Sequence, residues 1–100
     1  MATLSVSFDL EYDSTYQARY TSFMEQVKKS GLWWADTTSF VVVSTTESID
    51  EFCSRIYVNS DFNATKDLFL VMDTEVKSAR IRGKISDRDA FKLIPYLIEL

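Results

Sequence analysis

Three cations, Arg80, Arg82 and Lys84, stand at alternate positions in "VKSARIRGKI", and one carboxylate, Asp9, closes the stretch "LSVSFD". These residues offer the chain its clearest chemistry. On a strand, alternate side chains share a face about 6.6–6.8 Å apart, a spacing at which cations can follow a phosphate backbone. Asp9 poses a different question, because a strand with one carefully buried face ends its other face on a charge. The choices are narrowed by what is missing. The chain has no His and a single cysteine, Cys53, so neither Ser-His-Asp nor Cys-His catalysis is available to one copy. Cys-rich zinc sites and an internal disulfide are excluded as well.

The elements that must position these residues can be read from periodicity. Leu4, Val6, Phe8 and Leu10 share one parity, and Ser5, Ser7, Asp9 and Glu11 the other, which predicts a strand over 3–10. Asp13 or Ser14 is placed to cap the following helix, and Tyr16, Tyr20, Phe23 and Val27 recur on one helical face. Lys28 and Lys29 suit its last turn, and Gly31 is placed to end it in a left-handed conformation. "LWWADTTSFVVVSTT" divides into strands at about 32–37 and 39–45, joined near Thr38. "SIDE" at 48–51 spells a capping box, followed by a stripe of Ile49, Phe52, Cys53 and Ile56. After a loop at 59–66, "DLFLVMD" reads as a central strand. The stretch 76–85 then reads as an edge strand or extended arm with one basic face. Ser86 caps a last short helix, which Pro95 stops.

The order β-α-β-β-α-β, with a basic C-terminal arm and short helix at 76–100, predicts one ferredoxin-like α+β domain over 1–100. In that arrangement a single antiparallel sheet carries both helices on one face. Leu4, Val6 and Phe8 would lie beneath the helices, leaving Ser5, Ser7 and Asp9 on the open face. RNA-recognition modules of this topology stack bases on aromatics there, and the first strand offers none. An acylphosphatase-like loop needs a phosphate cradle, whereas "DLEYDST" has no glycine and carries acids.

"SFDLEYDS" after the opening strand, "GLWWADTTSFVV" after the first helix, and "DLFLVMDTEV" before a basic arm together resemble the CRISPR-associated protein-two family. The likeness is to a divergent branch with a Trp-Trp pair, here Trp33 and Trp34, and a C-terminal helix. It spans nearly the whole chain. The resemblance implies a homodimer whose open sheet faces pack together through Ser5, Ser7, Trp33 and Trp34. It further implies a nucleic-acid-associated protein, an integrase scaffold or metal-dependent endonuclease. The hydrophobic-Asp pair that ends the family's first strand corresponds to Phe8-Asp9. Asp9 from each of two copies would then hold a divalent ion such as Mg²⁺, a hard ion that takes carboxylates and waters. One departure counts against the nuclease: the basic residues expected after the Asp are replaced by the acidic "LEYDST".

Each feature also has a plainer reading. A strand-end Asp is commonly solvated, and a charged row on an edge strand blocks unwanted pairing. Trp33 and Trp34 point to opposite faces if they sit on a strand, so only one of them can be core; the other is an interface anchor or a cover for the sheet. Acids outnumber bases more than two to one in residues 1–76, and bases outnumber acids two to one thereafter. That asymmetry supports a rival function, a non-enzymatic acidic protein that binds a basic partner, as a phage or toxin-system inhibitor of a nucleic-acid enzyme would. No apolar run approaches the ~20 residues that span a bilayer, and no signal-peptide pattern opens the chain, so a cytoplasmic protein without a membrane partner is expected.

Overall fold

The computed structural model describes residues 1–100, and it is an α+β domain built on one six-stranded sheet. The strands are β1 (Ala2–Asp9), β2 (Trp33–Trp34), β3 (Phe40–Thr45), β4 (Leu68–Asp73), β5 (Ala79–Gly83) and β6 (Leu97–Glu99). The helices are α1 (Tyr16–Lys28), α2 (Ile49–Asn59) and α3 (Ala90–Leu93). The sheet order is β2-β3-β1-β4-β5-β6. Every pairing is antiparallel except β5 with β6, which is parallel. The expected purely antiparallel sheet is therefore corrected to a mixed one. Its cause is the chain after Pro95, which returns as a strand beside β5 rather than ending as a helix.

The alternation in β1 positions the main core. Leu4, Val6 and Phe8 are buried with Val41 and Val43 of β3 and Phe69 and Val71 of β4. Phe23 and Val27 of α1, and Phe52 and Ile56 of α2, close over them. The register places Val6 between Val41 and Val71, so three β-branched side chains meet on one face. Ser48 caps α2 by accepting from the Glu51 amide, while the Glu51 carboxylate accepts from the Ser48 amide at 2.9 Å. At α1 the cap differs from expectation. Thr15 precedes the helix, and Asp13 instead accepts from the Thr15 amide at 3.0 Å. Gly31 is not left-handed. It is required because a Cβ there would lie 2.7 Å from the Ser44 carbonyl oxygen.

The opposite face of the sheet is covered over half its width. Ala79, Ile81 and Leu97 form a second buried cluster, with Leu68, Leu70, Met72, Phe91 and Ile94 packed against it. The C-terminal segment thus seals the face over β4 and β5. β5 is an interior strand, not the expected edge; the edges are β2 and β6. The uncovered half lies over β1, β3 and β2.

One buried ion pair fixes the end of the sheet where β1 stops. Arg19 on α1 is 3% exposed and Asp67, just before β4, is 0% exposed. Their side chains form a direct ion pair. The Arg19 guanidinium also donates to the Glu11 carbonyl at 2.7 Å, to Asp13 at 2.6 Å and to the Thr15 hydroxyl at 3.1 Å. Asp67 in turn accepts from the Glu11 and Asn63 amides, each at 3.0 Å. Removing one partner of such a pair leaves a buried charge uncompensated, which costs about 3–5 kcal/mol. Asp67→Ala is expected to lower stability by about that amount in urea unfolding, against about 0.5 kcal/mol or less for Lys92→Ala on the surface. A loss below about 1 kcal/mol for Asp67→Ala would show that the pair does not hold this end together.

The same network carries a pH dependence. Lys66, then Arg19, hold the Asp13 carboxyl well below the usual carboxylate range. A carboxylate with a depressed folded value adds stability that is complete above its unfolded value, about 3.9, and is lost as pH falls. Unfolding midpoints should therefore drop below about pH 4, and Lys66→Ala should flatten that drop. An unchanged acid slope in Lys66→Ala would contradict the assignment.

Candidate functional site

Asp9 ends β1 on the face opposite the helices and is exposed together with Ser7. Ser5 is half-buried and its hydroxyl donates to the Met72 carbonyl at 3.4 Å. Asp9 borders a hollow of about 330 Å³ lined by Glu11, Lys66, Leu68, Lys84 and Ser86. It also edges a neighbouring hollow of about 280 Å³ whose lining includes Leu68, Leu70, Ile81 and Ile85. Within one chain Asp9 shares its hollow with Glu11, Lys66 and Lys84, the Lys66 ammonium being held by Asp13, and no three Asp, Glu, Cys or His side chains converge as a metal-holding group. A single copy brings at most Asp9 and Glu11 to this hollow as hard-ion ligands, and a second copy's Asp9 would add another carboxylate.

The basic row is not brought together as one phosphate-facing surface. β5 pairs with β4 so that Arg82 is opposite Phe69 and Arg80 opposite Val71, which turns both arginines toward the helices. Arg80 grips Asp50 in the first turn of α2 through two contacts, at 2.6 and 3.3 Å. A fork-shaped guanidinium suits that carboxylate, and the helix N-terminus favours the acid. Asp50 is held below its ordinary range by this bond, and Arg80 is raised by it. The Arg82 guanidinium lies 3.5 Å from the centre of the Tyr57 ring on α2. Lys84 follows Gly83, whose φ of +124° breaks the strand pattern, and is exposed beside Asp9, Lys66 and Ser86. The expected one-faced row is corrected accordingly: two members bind α2, and the third stands with Asp9.

Trp33 and Trp34 occupy the two-residue edge strand β2, at 45% and 46% exposure. Trp33 pairs with the helix-face residue Val43, and Lys28 sits over its ring at 4.2 Å. Trp34 pairs with Val42, on the side of Ser5 and Ser7. Only Trp34, therefore, shares a face with the expected dimer residues. Cys53 is fully buried on α2, and burial, followed by Asp50, pushes its thiol up to about 12. It is a core filler.

Sequence reasoning missed Arg19 and Arg55 as organising residues. Arg55 holds Glu47 at 2.9 and 3.0 Å and donates to the Gln26 carbonyl at 2.6 Å. Arg19 was detectable only as a cation on an otherwise apolar helix face. No helix is long and apolar enough to cross a membrane. Comparison with known proteins finds no family model, no curated protein and no solved structure that matches this chain.

The contacts of Arg80 and Arg82 predict a structural effect. Arg80→Ala and Arg82→Ala should each lower stability by about 1 kcal/mol, the scale of a partly exposed ion pair or cation–π contact. Oligonucleotide affinity should change less than about twofold, since neither guanidinium is free for phosphate. Unchanged unfolding midpoints with a large loss of affinity would restore the phosphate-row reading.

Proposed function

We propose that this chain is a ferredoxin-like, Cas-two-like protein that acts as a homodimeric, nucleic-acid-associated scaffold, with Asp9 as its one candidate for metal-dependent phosphodiester cleavage. The carrying observation is the uncovered half of the sheet. There the polar Ser5 and Ser7 adjoin Phe40 and Val42 through the β1–β3 register, and exposed Asp9 lies at the end of the strip. A mixed apolar and small-polar surface of this kind suits a second copy of itself, because a two-fold axis presents the same patch twice. It would also bring the two Asp9 carboxylates toward each other. The order β2-β3-β1-β4, with α1 and α2 both packed on the Leu4, Val6 and Phe8 face, supports the ferredoxin-like assignment. On this view β5, α3 and β6 are an addition that narrows the open face.

The rival reading, a non-enzymatic acidic protein that binds a basic partner, draws on the engagement of Arg80 and Arg82 with α2. With these arginines turned inward, the basic quarter of the sequence no longer offsets the acidic remainder at the surface.

Two measurements separate the readings. Native mass spectrometry at micromolar concentration is expected to give a dimer. Purified protein with Mg²⁺ or Mn²⁺ is expected to cut RNA or DNA, with cutting abolished by EDTA and by Asp9→Ala. A monomer would overturn the proposal. A dimer that binds nucleic acid without cutting it would retain the scaffold and remove the catalytic role. Cleavage that survives Asp9→Ala would place the chemistry elsewhere.

A further inference from the structure

The turn from α1 into β2 gathers features found nowhere else on the surface. It carries Lys28 and Lys29 at the end of α1 and then the chain's two tryptophans, on a strand with a free edge. The other cations of residues 1–76 are committed. Arg19 and Lys66 hold Asp13, and Arg55 holds Glu47. Lys29 has only a loose, exposed pair with Glu25 at 3.7 Å. Lys28 already stands over the Trp33 ring, an arrangement that keeps the ring and the ammonium in one place.

The turn is also held in place. Ser44 of β3 binds it twice, its amide donating to the Leu32 carbonyl at 2.9 Å and its hydroxyl accepting from the Leu32 amide at 3.1 Å. Gly31 permits that approach, since any side chain there would strike Ser44. Beside the turn, Leu32, Trp34, Val42 and Thr3 border a hollow of about 320 Å³. A second hollow of about 270 Å³ presents Lys29, Ser30 and Thr46. Glu47 also lines it, with its charge met by Arg55.

We infer that the edge of β2 is a single-stranded nucleic-acid contact, in which bases stack on the exposed Trp34 while Lys29, and Lys28 from its place over Trp33, meet the adjoining phosphates. Stacking on an exposed indole is tolerant of sequence because every base has a π-face, and each stacked base contributes about 1–3 kcal/mol. The lysines supply the salt-dependent part of binding. A strand crossing the edge of β2 meets Trp34 on one face of the sheet and the Lys28–Trp33 pair on the other. The inference rests on the nucleic-acid-association reading above, confines the two-copy contact to the β1–β3 strip of Ser5, Ser7, Phe40 and Val42 so that β2 stays open, and moves the nucleic-acid contact from Arg80, Arg82 and Lys84 toward the opposite edge of the sheet.

Because Trp33 and Trp34 are the only tryptophans, their intrinsic emission reports this surface directly. Wild-type protein is titrated in EDTA with oligo-dT and, separately, oligo-U, with the labelled strand followed in parallel by anisotropy. Saturable quenching of emission is expected, with the two readouts giving the same affinity. Trp34→Ala should weaken binding about 5- to 150-fold. Lys28→Glu/Lys29→Glu should weaken it further at low salt and reduce the slope of log affinity against log salt by about 1.4. Unfolding midpoints of both variants are measured to confirm that they remain folded. Binding seen by anisotropy without quenching, and undiminished in both variants, would overturn this site while leaving nucleic-acid association intact. No binding of either oligonucleotide at low salt would overturn both. An emission shift that follows protein concentration and is unaffected by oligonucleotide would mean that a second copy covers the tryptophans, and would also overturn the site.

Discussion

The Arg19 guanidinium is the point on which one end of the fold depends. It joins the loop after β1, the start of α1 and the loop before β4 through Glu11, Asp13, Thr15 and Asp67. Each contact is ordinary taken alone. Together they satisfy a charge that sits almost wholly out of water, where an unpaired guanidinium would be costly. Burial alone would lower the affinity of Arg19 for its proton, but the bonds to Asp13 and Asp67 outweigh it and raise that affinity. The consequence reaches the surface around Asp9. Asp9 is the last residue of β1 before this clamp, and Lys66, beside Asp9 in the same hollow, is held by Asp13.

The same device recurs elsewhere. Arg55 ties α2 to the end of α1 and to Glu47, and Arg80 ties β5 to the N-terminus of α2. Folding turns Arg80 against Asp50 of the body and Arg82 onto Tyr57, which takes two cations of the C-terminal quarter away from ligands. What remains available is informative. Lys84 stands near Asp9, and Lys28 and Lys29 stand beside the two tryptophans at the far edge. Nucleic acid approaching an acidic protein would be guided to such places rather than to the most basic stretch of sequence.

Much of this architecture was legible in the residues. The parity of Leu4, Val6 and Phe8 gave the buried face of β1, "SIDE" gave the α2 cap, and the spacing of Phe23 and Val27 gave the core face of α1. Parity also separated Trp33 from Trp34. It could not reveal which side of the sheet Arg80 and Arg82 occupy, because alternation says which residues share a face and not what covers it. The stretch 76–85 reads as an edge strand or extended arm, with Ala79 and Ile81 opposite the basic residues. In the fold the face of Ala79 and Ile81 meets Leu97 and the residues near Phe91. β6 escaped notice because three residues after a proline carry no period. Lys84 was misplaced because Gly83 takes a backbone conformation that the sequence alone does not fix.

The central claim is that Arg19, Arg55 and Arg80 work inside the fold, so that the cations open to a ligand are lysines such as Lys29 and Lys84. The most direct measurement is the arginine Nε–H region of a proton–nitrogen NMR spectrum at neutral pH. Arg19, Arg55 and Arg80, each of which donates through Nε to a side-chain oxygen, should give separate signals protected from exchange with water. Arg88, whose contact with Glu99 is exposed and does not use Nε, should not. Separate signals for those three with a fast-exchanging Arg88 would support the account. Fast exchange of all the arginine Nε–H groups at one averaged position would contradict it.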